Sequence, residues 1–191
     1  MIKQKQGKKL EEKIAWEIVE FLRNSNYIEE EYSEEALEDS KKSWIYAVKH
    51  KDAITVDYIL NIHKILMQRI NPKIAGKLRD CAANIGALKT IFPAGNDQLY
   101  GAIYIEYDRI PKHSETELIK KLDNWITSYK KVAGYDDIKK QHIVFEKLHP
   151  FTDGNGRVGR ILMNIQCINA GLPIITIHEG RERFEYSKWF N

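Results

Sequence analysis

A mainly all-α fold follows from three observations on the 191-residue sequence. Apolar residues recur at helical spacing in stretch after stretch, a complete capping box opens one of those stretches, and strand composition is confined to a single segment. Hydrophobic residues make up 43% and aromatics 10%, enough for a core, which excludes wholesale disorder. The 30 Lys+Arg against 27 Asp+Glu leave a formal charge of +3, so nothing indicates a nucleic-acid partner. Cys81 and Cys167 are the only cysteines; they exclude a disulfide scaffold and a multi-cysteine zinc site, and both are expected to be buried small apolar residues. No apolar run approaches the roughly 20 residues that cross a bilayer. The lysine-bearing start, Met1 to Lys9, lacks the apolar stretch of a secretory signal and is expected to be a mobile basic terminus. These features predict a cytoplasmic protein with no membrane partner.

The elements follow in order. Leu10, Ile14, Ile18 and Leu22 lie four apart, with Trp16, Val19 and Phe21 widening the stripe, and predict a helix over about 10–23 that ends at Asn24-Ser25-Asn26. Trp16, Trp44 and Trp125 are read as core. Ser33 is placed to cap a second helix, with Glu34 and Glu35 in its first turn where the macrodipole favours acids. Ile59, Ile62, Leu66 and Ile70 define a helix from about Val56, stopped at Asn71-Pro72. Glycines and prolines between Ala75 and Pro111 mark an irregular region holding a small β-hairpin, with Ala102–Tyr107 as a strand. Ser114 and Glu117 form the capping box of a helix whose buried face is Leu118, Leu122, Trp125, Ile126 and Tyr129. Two more helices are expected over about 137–148 and 156–170, the second stopped by Gly171 and Pro173. The division drawn from this reading is a basic terminus (1–9), N-terminal helices (10–50), a core (51–177) and a C-terminal extension (178–191).

The chemistry is concentrated in His149-Pro150-Phe151-Thr152-Asp153-Gly154-Asn155-Gly156-Arg157-Val158-Gly159-Arg160. A helix ends at Pro150, and Gly154-Asn155-Gly156 forms a turn whose backbone N–H groups can converge on an anion. The next helix begins at once, so its free N–H groups and positive dipole end point at the same place. Arg157 and Arg160 lie one turn apart near that end, where cations are disfavoured without an anionic partner; a polyphosphate would supply it. Asp153 offers a hard oxygen ligand for Mg²⁺ shared with a nucleotide. His149 stands at the rim as a candidate general base. Phe151 is expected to anchor the loop in the core, and His142 to pack behind it.

These twelve residues resemble the signature of the Fic family, HxFx[D/E]GNGRxxR, at every specified position. Gly76-Lys77-Leu78-Arg79 is similar to that family's upstream Gly-x-x-Arg element, and Ile85-Gly86 with the following hairpin to its flap. The resemblance spans about residues 20–175. It implies a Fic-fold helical bundle with a small β-hairpin flap that transfers AMP from ATP to a protein Ser, Thr or Tyr hydroxyl and releases pyrophosphate. It further implies that His149 accepts the hydroxyl proton, that Asp153 holds Mg²⁺, and that Gly154, Asn155 and Gly156 form an anion hole. Arg157 and Arg160 would grip the distal phosphates, and the flap strand would pair with the target's backbone. ATP, Mg²⁺ and a hydroxyl-bearing protein are thus the expected ligands and partners, with a homodimer open to the exposed helix faces.

Ser25-Asn26-Tyr27-Ile28-Glu29-Glu30 resembles the family's inhibitory pattern [S/T]xxxE[G/N], with Ser25 and Glu29 in place. Glu30 departs from the small sixth residue, which is read as leaving room beside the nucleotide. Glu29 is expected to pair bidentately with Arg160 and displace the γ-phosphate. Three alternatives remain open at this point. A phosphate-transferring relative is disfavoured because that branch carries Lys where Gly156 stands. The others are removal of AMP using Glu29 to position water, and an idle nucleotide-binding module.

Overall fold

The computed structural model describes residues 16–91, 102–131 and 134–190. Helix α1 (16–28) is followed by α2 (Glu34–Lys49) and α3 (Val56–Met67). Strands β1 (Ala83–Ile91) and β2 (Ala102–Ile110) come next, then α4 (Glu115–Tyr129), α5 (Tyr135–Leu148), α6 (Asn155–Asn169), α7 (Arg181–Ser187) and a 3₁₀ turn (Lys188–Phe190). The described structure is helical apart from one antiparallel pair, in which Ala83 faces Ile110 and Ile91 faces Ala102. No described helix is long and apolar enough to cross a membrane.

Local chemistry explains most boundaries. Ser33 accepts the Ala36 N–H and caps α2; Thr55 does the same for Tyr58 at α3. Ser114 and Glu117 complete a reciprocal capping box at α4, and the five residues expected on its buried face are buried. Helix α6 ends in a Schellman arrangement: Leu172 N–H donates to Cys167 C=O at 2.8 Å, Gly171 N–H to Ile168 C=O at 3.1 Å, and Gly171 has φ +69°.

Helix α6 is central, with Val158, Ile161, Leu162, Ile165 and Cys167 all within 1% of complete burial. The main core gathers around it from α1, α2, α3, α4 and α5, including Phe21, Leu22, Leu37, Ile59, Ile62, Leu66, Leu122 and Phe145. Each such side chain contributes about 1.5–3 kcal/mol when buried. A second cluster joins Ile138, Met163 and Cys167 to Ile177 and Tyr186, and fastens the C-terminal segment to the other side of α6. Because α6 is enclosed, its two arginines are forced indoors, where each charge must find partners.

Three expectations are corrected. Helix α1 does not stop at Asn24-Ser25-Asn26 but runs to residue 28. Asn26 and Ser25 are buried, and Asn26 Oδ1 accepts from Ser40 Oγ on α2 at 3.0 Å, so tertiary partners supply what a cap would otherwise have to. Trp16 is 62% exposed, whereas Trp44 and Trp125 are buried as expected. Cys81 is exposed at the base of the hairpin; Cys167 is buried. Leu10, Ile14 and the basic terminus lie outside the described residues.

Candidate active site

The motif loop is assembled by contacts that the motif itself does not contain. Helix α5 stops because His149 takes a left-handed conformation, φ +48°, before Pro150. That conformation is uncommon for a side-chain-bearing residue and is held from outside. Arg79 Nε donates to His149 C=O at 2.6 Å, and Arg79 N–H donates to Pro150 C=O at 2.9 Å. The same buried guanidinium donates through Nη1 to Cys81 C=O and Pro111 C=O, at 2.6 and 2.9 Å, one at each end of the hairpin. The Gly-x-x-Arg element is thus a staple between the hairpin base and the start of the loop.

A second staple is His63, which sequence reasoning missed. Its Nδ1 accepts from Gly76 N–H at 3.0 Å, so Nε2 carries the proton and donates to Asp153 C=O at 3.0 Å. Its ring stacks on Phe151 at 3.8 Å and 6°. Burial drives its pKa down to about 4, so the ring stays neutral. Phe151 is fully buried, as expected. Gly154 has φ +79°, and a Cβ there would meet Met67 and His63. Asn155 turns its side chain back into the loop, exchanging hydrogen bonds of 2.9 Å with both Phe151 N–H and Phe151 C=O. Its side chain therefore shapes the turn, and only its backbone is left to face an anion.

His149 lies partly exposed at the end of α5. Its Nδ1 is 3.2 Å from Glu146 C=O, which can only accept, so the neutral ring carries its proton on Nδ1 and leaves a lone pair on Nε2. Burial lowers its pKa below the usual 6.5, with Arg79 acting in the same direction against the Glu146 carbonyl. An unprotonated Nε2 at neutral pH is what a general base requires. Asp153 keeps a half-exposed carboxylate at the loop rim, one oxygen bonded to Gly154 N–H and 3.5 Å from Arg157 Nη2. Among the described residues no group of three or more His, Cys, Asp or Glu could hold a metal alone. A single carboxylate beside a phosphate site does fit Mg²⁺, which takes one or two carboxylates together with substrate phosphates and water.

The two arginines differ sharply. Arg160 is 2% exposed and fully engaged: Nε donates to Ser25 Oγ at 2.9 Å, while Nη2 donates to Ser25 C=O at 2.8 Å and to Glu29 Oε1 at 2.7 Å. Ser25 lies on the last turn of α1 and Glu29 in the turn that follows, four residues on, so both reach the same guanidinium. The ion pair uses one carboxylate oxygen, Oε1, at Nη2 rather than the bidentate pairing expected. Burial raises the Glu29 carboxyl, but the Arg160 charge and hydrogen bond outweigh it and hold the group below its ordinary value. Arg157, 4% exposed, has buried Nε and Nη1 atoms with no acceptor among the described residues. A Cβ on Gly156 would collide with the Glu29 carboxylate and lie 2.8 Å from Arg160 Nη1, so this glycine opens the space between them.

The departure at Glu30 acquires a different meaning. Helix α1 ends in the same Schellman arrangement as α6: Glu31 N–H donates to Asn26 C=O at 3.1 Å and Glu30 N–H to Tyr27 C=O at 3.0 Å. Glu30 has φ +59°, the position where a helix stop favours Gly or Asn. The small residue of the pattern is therefore a backbone requirement of the turn that sets Glu29.

The Fic/DOC family profile matches residues 53–167, and the chain belongs to that family. It is 28% identical over 132 residues to the protein adenylyltransferase fic-1 of Caenorhabditis elegans, covering 68% of this chain and 22% of that protein. To the protein adenylyltransferase Fic of Drosophila erecta it is 31% identical over 136 residues, 71% of this chain and 24% of that one. Its fold is shared with a Fic-domain-containing signaling protein from Bacteroides thetaiotaomicron, TM-score 0.68 at 17% identity, over 97% of this chain and 73% of that chain. The chain spans less than a quarter of the length of the two adenylyltransferases. The matched residues contain the motif, Arg79 and His63, but neither Ser25 and Glu29 nor the C-terminal helix.

Proposed function

We propose that this protein is a protein adenylyltransferase held in check by Glu29. It transfers AMP from ATP to a Ser, Thr or Tyr hydroxyl of a protein. The observation that carries this reading is the pair of buried guanidiniums on the first turns of α6, one holding orphaned N–H donors and the other holding a carboxylate supplied by α1. Buried donors of this kind call for an anion, and the names of the relatives point to ATP.

In the reaction, the target hydroxyl oxygen bonds to the α-phosphorus, the bond from that phosphorus to the β-bridging oxygen breaks, and pyrophosphate leaves. His149 Nε2 takes the hydroxyl proton. The N–H groups of the α6 N-terminus, beginning at Asn155 and Gly156, face the charge that grows on the phosphates, while Gly154 N–H is held by Asp153. Arg157 and Arg160 hold the distal phosphates. Mg²⁺ on Asp153 would neutralise phosphate charge next to these donors. While Glu29 holds Arg160 Nη2, the terminal phosphate lacks that donor and ATP sits in a pose unsuited to attack. The β2 strand offers an edge for the target's backbone.

Incubation with α-labelled and γ-labelled ATP tests the reading. Label from the α position in protein supports AMP transfer. Label only from the γ position replaces it with phosphate transfer, and binding without either label contradicts an enzyme.

A further inference from the structure

Arg160 has a third protein neighbour that the motif and the inhibitory pattern do not include. Its Nη1 lies 3.5 Å from Tyr186 Oη, and the guanidinium carbon lies 5.9 Å from the Tyr186 ring centre. Tyr186 comes from α7, beyond the residues that match the family. Its hydroxyl is 2.7 Å from His142 Nε2, and His142 is buried, its pKa lowered to about 3 by that burial. With the guanidinium donating to Oη, the phenolic proton is left for His142 Nε2, so the hydroxyl is oriented from behind. Burial also pushes the phenol upward, so it remains protonated. Arg183 in the same helix donates to Ile28 C=O at 2.9 Å, one residue before Glu29. Helix α7 therefore touches the arginine directly and the turn that carries its carboxylate.

We propose that Tyr186 is a positioning residue for Arg160, keeping the guanidinium aimed at the phosphate side when Glu29 is not bound to it. The inference rests on the reading of Arg160 as a distal-phosphate ligand. Ser25 binds Nε and Nη2 and leaves Nη1 to be fixed from the other side. A guanidinium fork presents two donors to a phosphate only when its plane is set, and Tyr186 is placed to set it. His142, Tyr186 and Arg160 then form one relay of hydrogen bonds from α5 through α7 to α6.

The test is a double-mutant cycle in the Glu29→Gly protein, read as calorimetric affinity for ATP and for AMP, with melting temperature followed in parallel. Tyr186→Phe keeps the ring and removes the hydroxyl. It is expected to weaken ATP about three- to tenfold and leave AMP within twofold. Added to Arg160→Ala, it is expected to change neither. Equal losses for ATP and AMP, or the same loss with and without Arg160, would mean a packing role and overturn the proposal. If Arg160→Ala weakens ATP and Tyr186→Phe does not, the positioning role fails while the site reading stands. If Arg160→Ala itself leaves the ATP-to-AMP ratio unchanged, the phosphate assignment of Arg160 fails, and the positioning role falls with it.

Discussion

Arg157 and Arg160 sit one turn apart on the same enclosed helix, yet the protein treats them differently. Arg160 meets acceptors from both flanks of the chain, Ser25 and Glu29 before the core and Tyr186 after it. Arg157 keeps Nε and Nη1 buried without an acceptor among the described residues. Burying a guanidinium is costly unless its donors are satisfied. On the proposed reading, Arg157 is a standing anion donor and Arg160 one whose donor is shared between the protein and its ligand. Control over the site can then be exerted at one arginine without dismantling the other.

The largest expected effect lies outside both arginines and shows what they do not do. His149→Ala should lower transfer by about 10²–10⁴-fold, the usual loss for a general base, with ATP affinity nearly unchanged. Parallel loss of binding and transfer would give His149 a share in holding the nucleotide. The arginines should then separate by background. Arg157→Ala should weaken ATP about 10- to 100-fold relative to AMP, the range for losing a charge-assisted hydrogen bond of roughly 1.5–3 kcal/mol. That loss should be the same with or without Glu29. Arg160→Ala should matter little to ATP affinity in the wild type and show a loss of similar size in Glu29→Gly. Identical behaviour of the two arginines in both backgrounds would break the comparison.

A smaller effect concerns pH. The pKa of His149 is depressed by burial, so its base form persists below the ordinary 6.5 and is lost only as pH falls through the lower folded value. The acid limb of the transfer rate in Glu29→Gly should therefore have its midpoint below 6.5; a midpoint above it would contradict the assigned environment. The smallest effect is at Glu30. Glycine there removes a left-handed cost of about 1 kcal/mol and should raise the melting temperature by roughly 2–4 °C without increasing labelling. A rise in labelling would mean that Glu30 acts on the nucleotide after all.

Much of this site was legible because its chemistry is local. Twelve consecutive residues carry the candidate base, the turn and both arginines, and the capping signals at Ser33 and Ser114 act within three residues. What was not legible joins distant segments. His63 meets Asp153 across 90 residues, and Tyr186 meets His142 across 44. Neither has a local spacing that announces it, though a histidine inside the apolar face of α3 was a signal that could have been followed. Asparagine and serine favour helix ends and predict a stop at Asn24-Ser25-Asn26; the hydrogen bond from Ser40 to Asn26 overrides that preference and carries α1 to residue 28. Size beside a ligand is the reading the pattern suggests for position 30, whereas the left-handed backbone angle of Glu30 is the physical reason for a small residue there.

The central claim is that the Glu29 carboxylate takes the Arg160 donor that ATP otherwise uses. Its most direct measurement is the time course of labelling by α-labelled ATP for wild type, Glu29→Gly, and Glu29→Gly with Arg160→Ala. The account predicts a rise of at least about tenfold for Glu29→Gly, since each 1.4 kcal/mol is a decade and the bond removed is worth roughly 1.5–3 kcal/mol, and loss of that gain in the double variant. Equal rates for wild type and Glu29→Gly would contradict it.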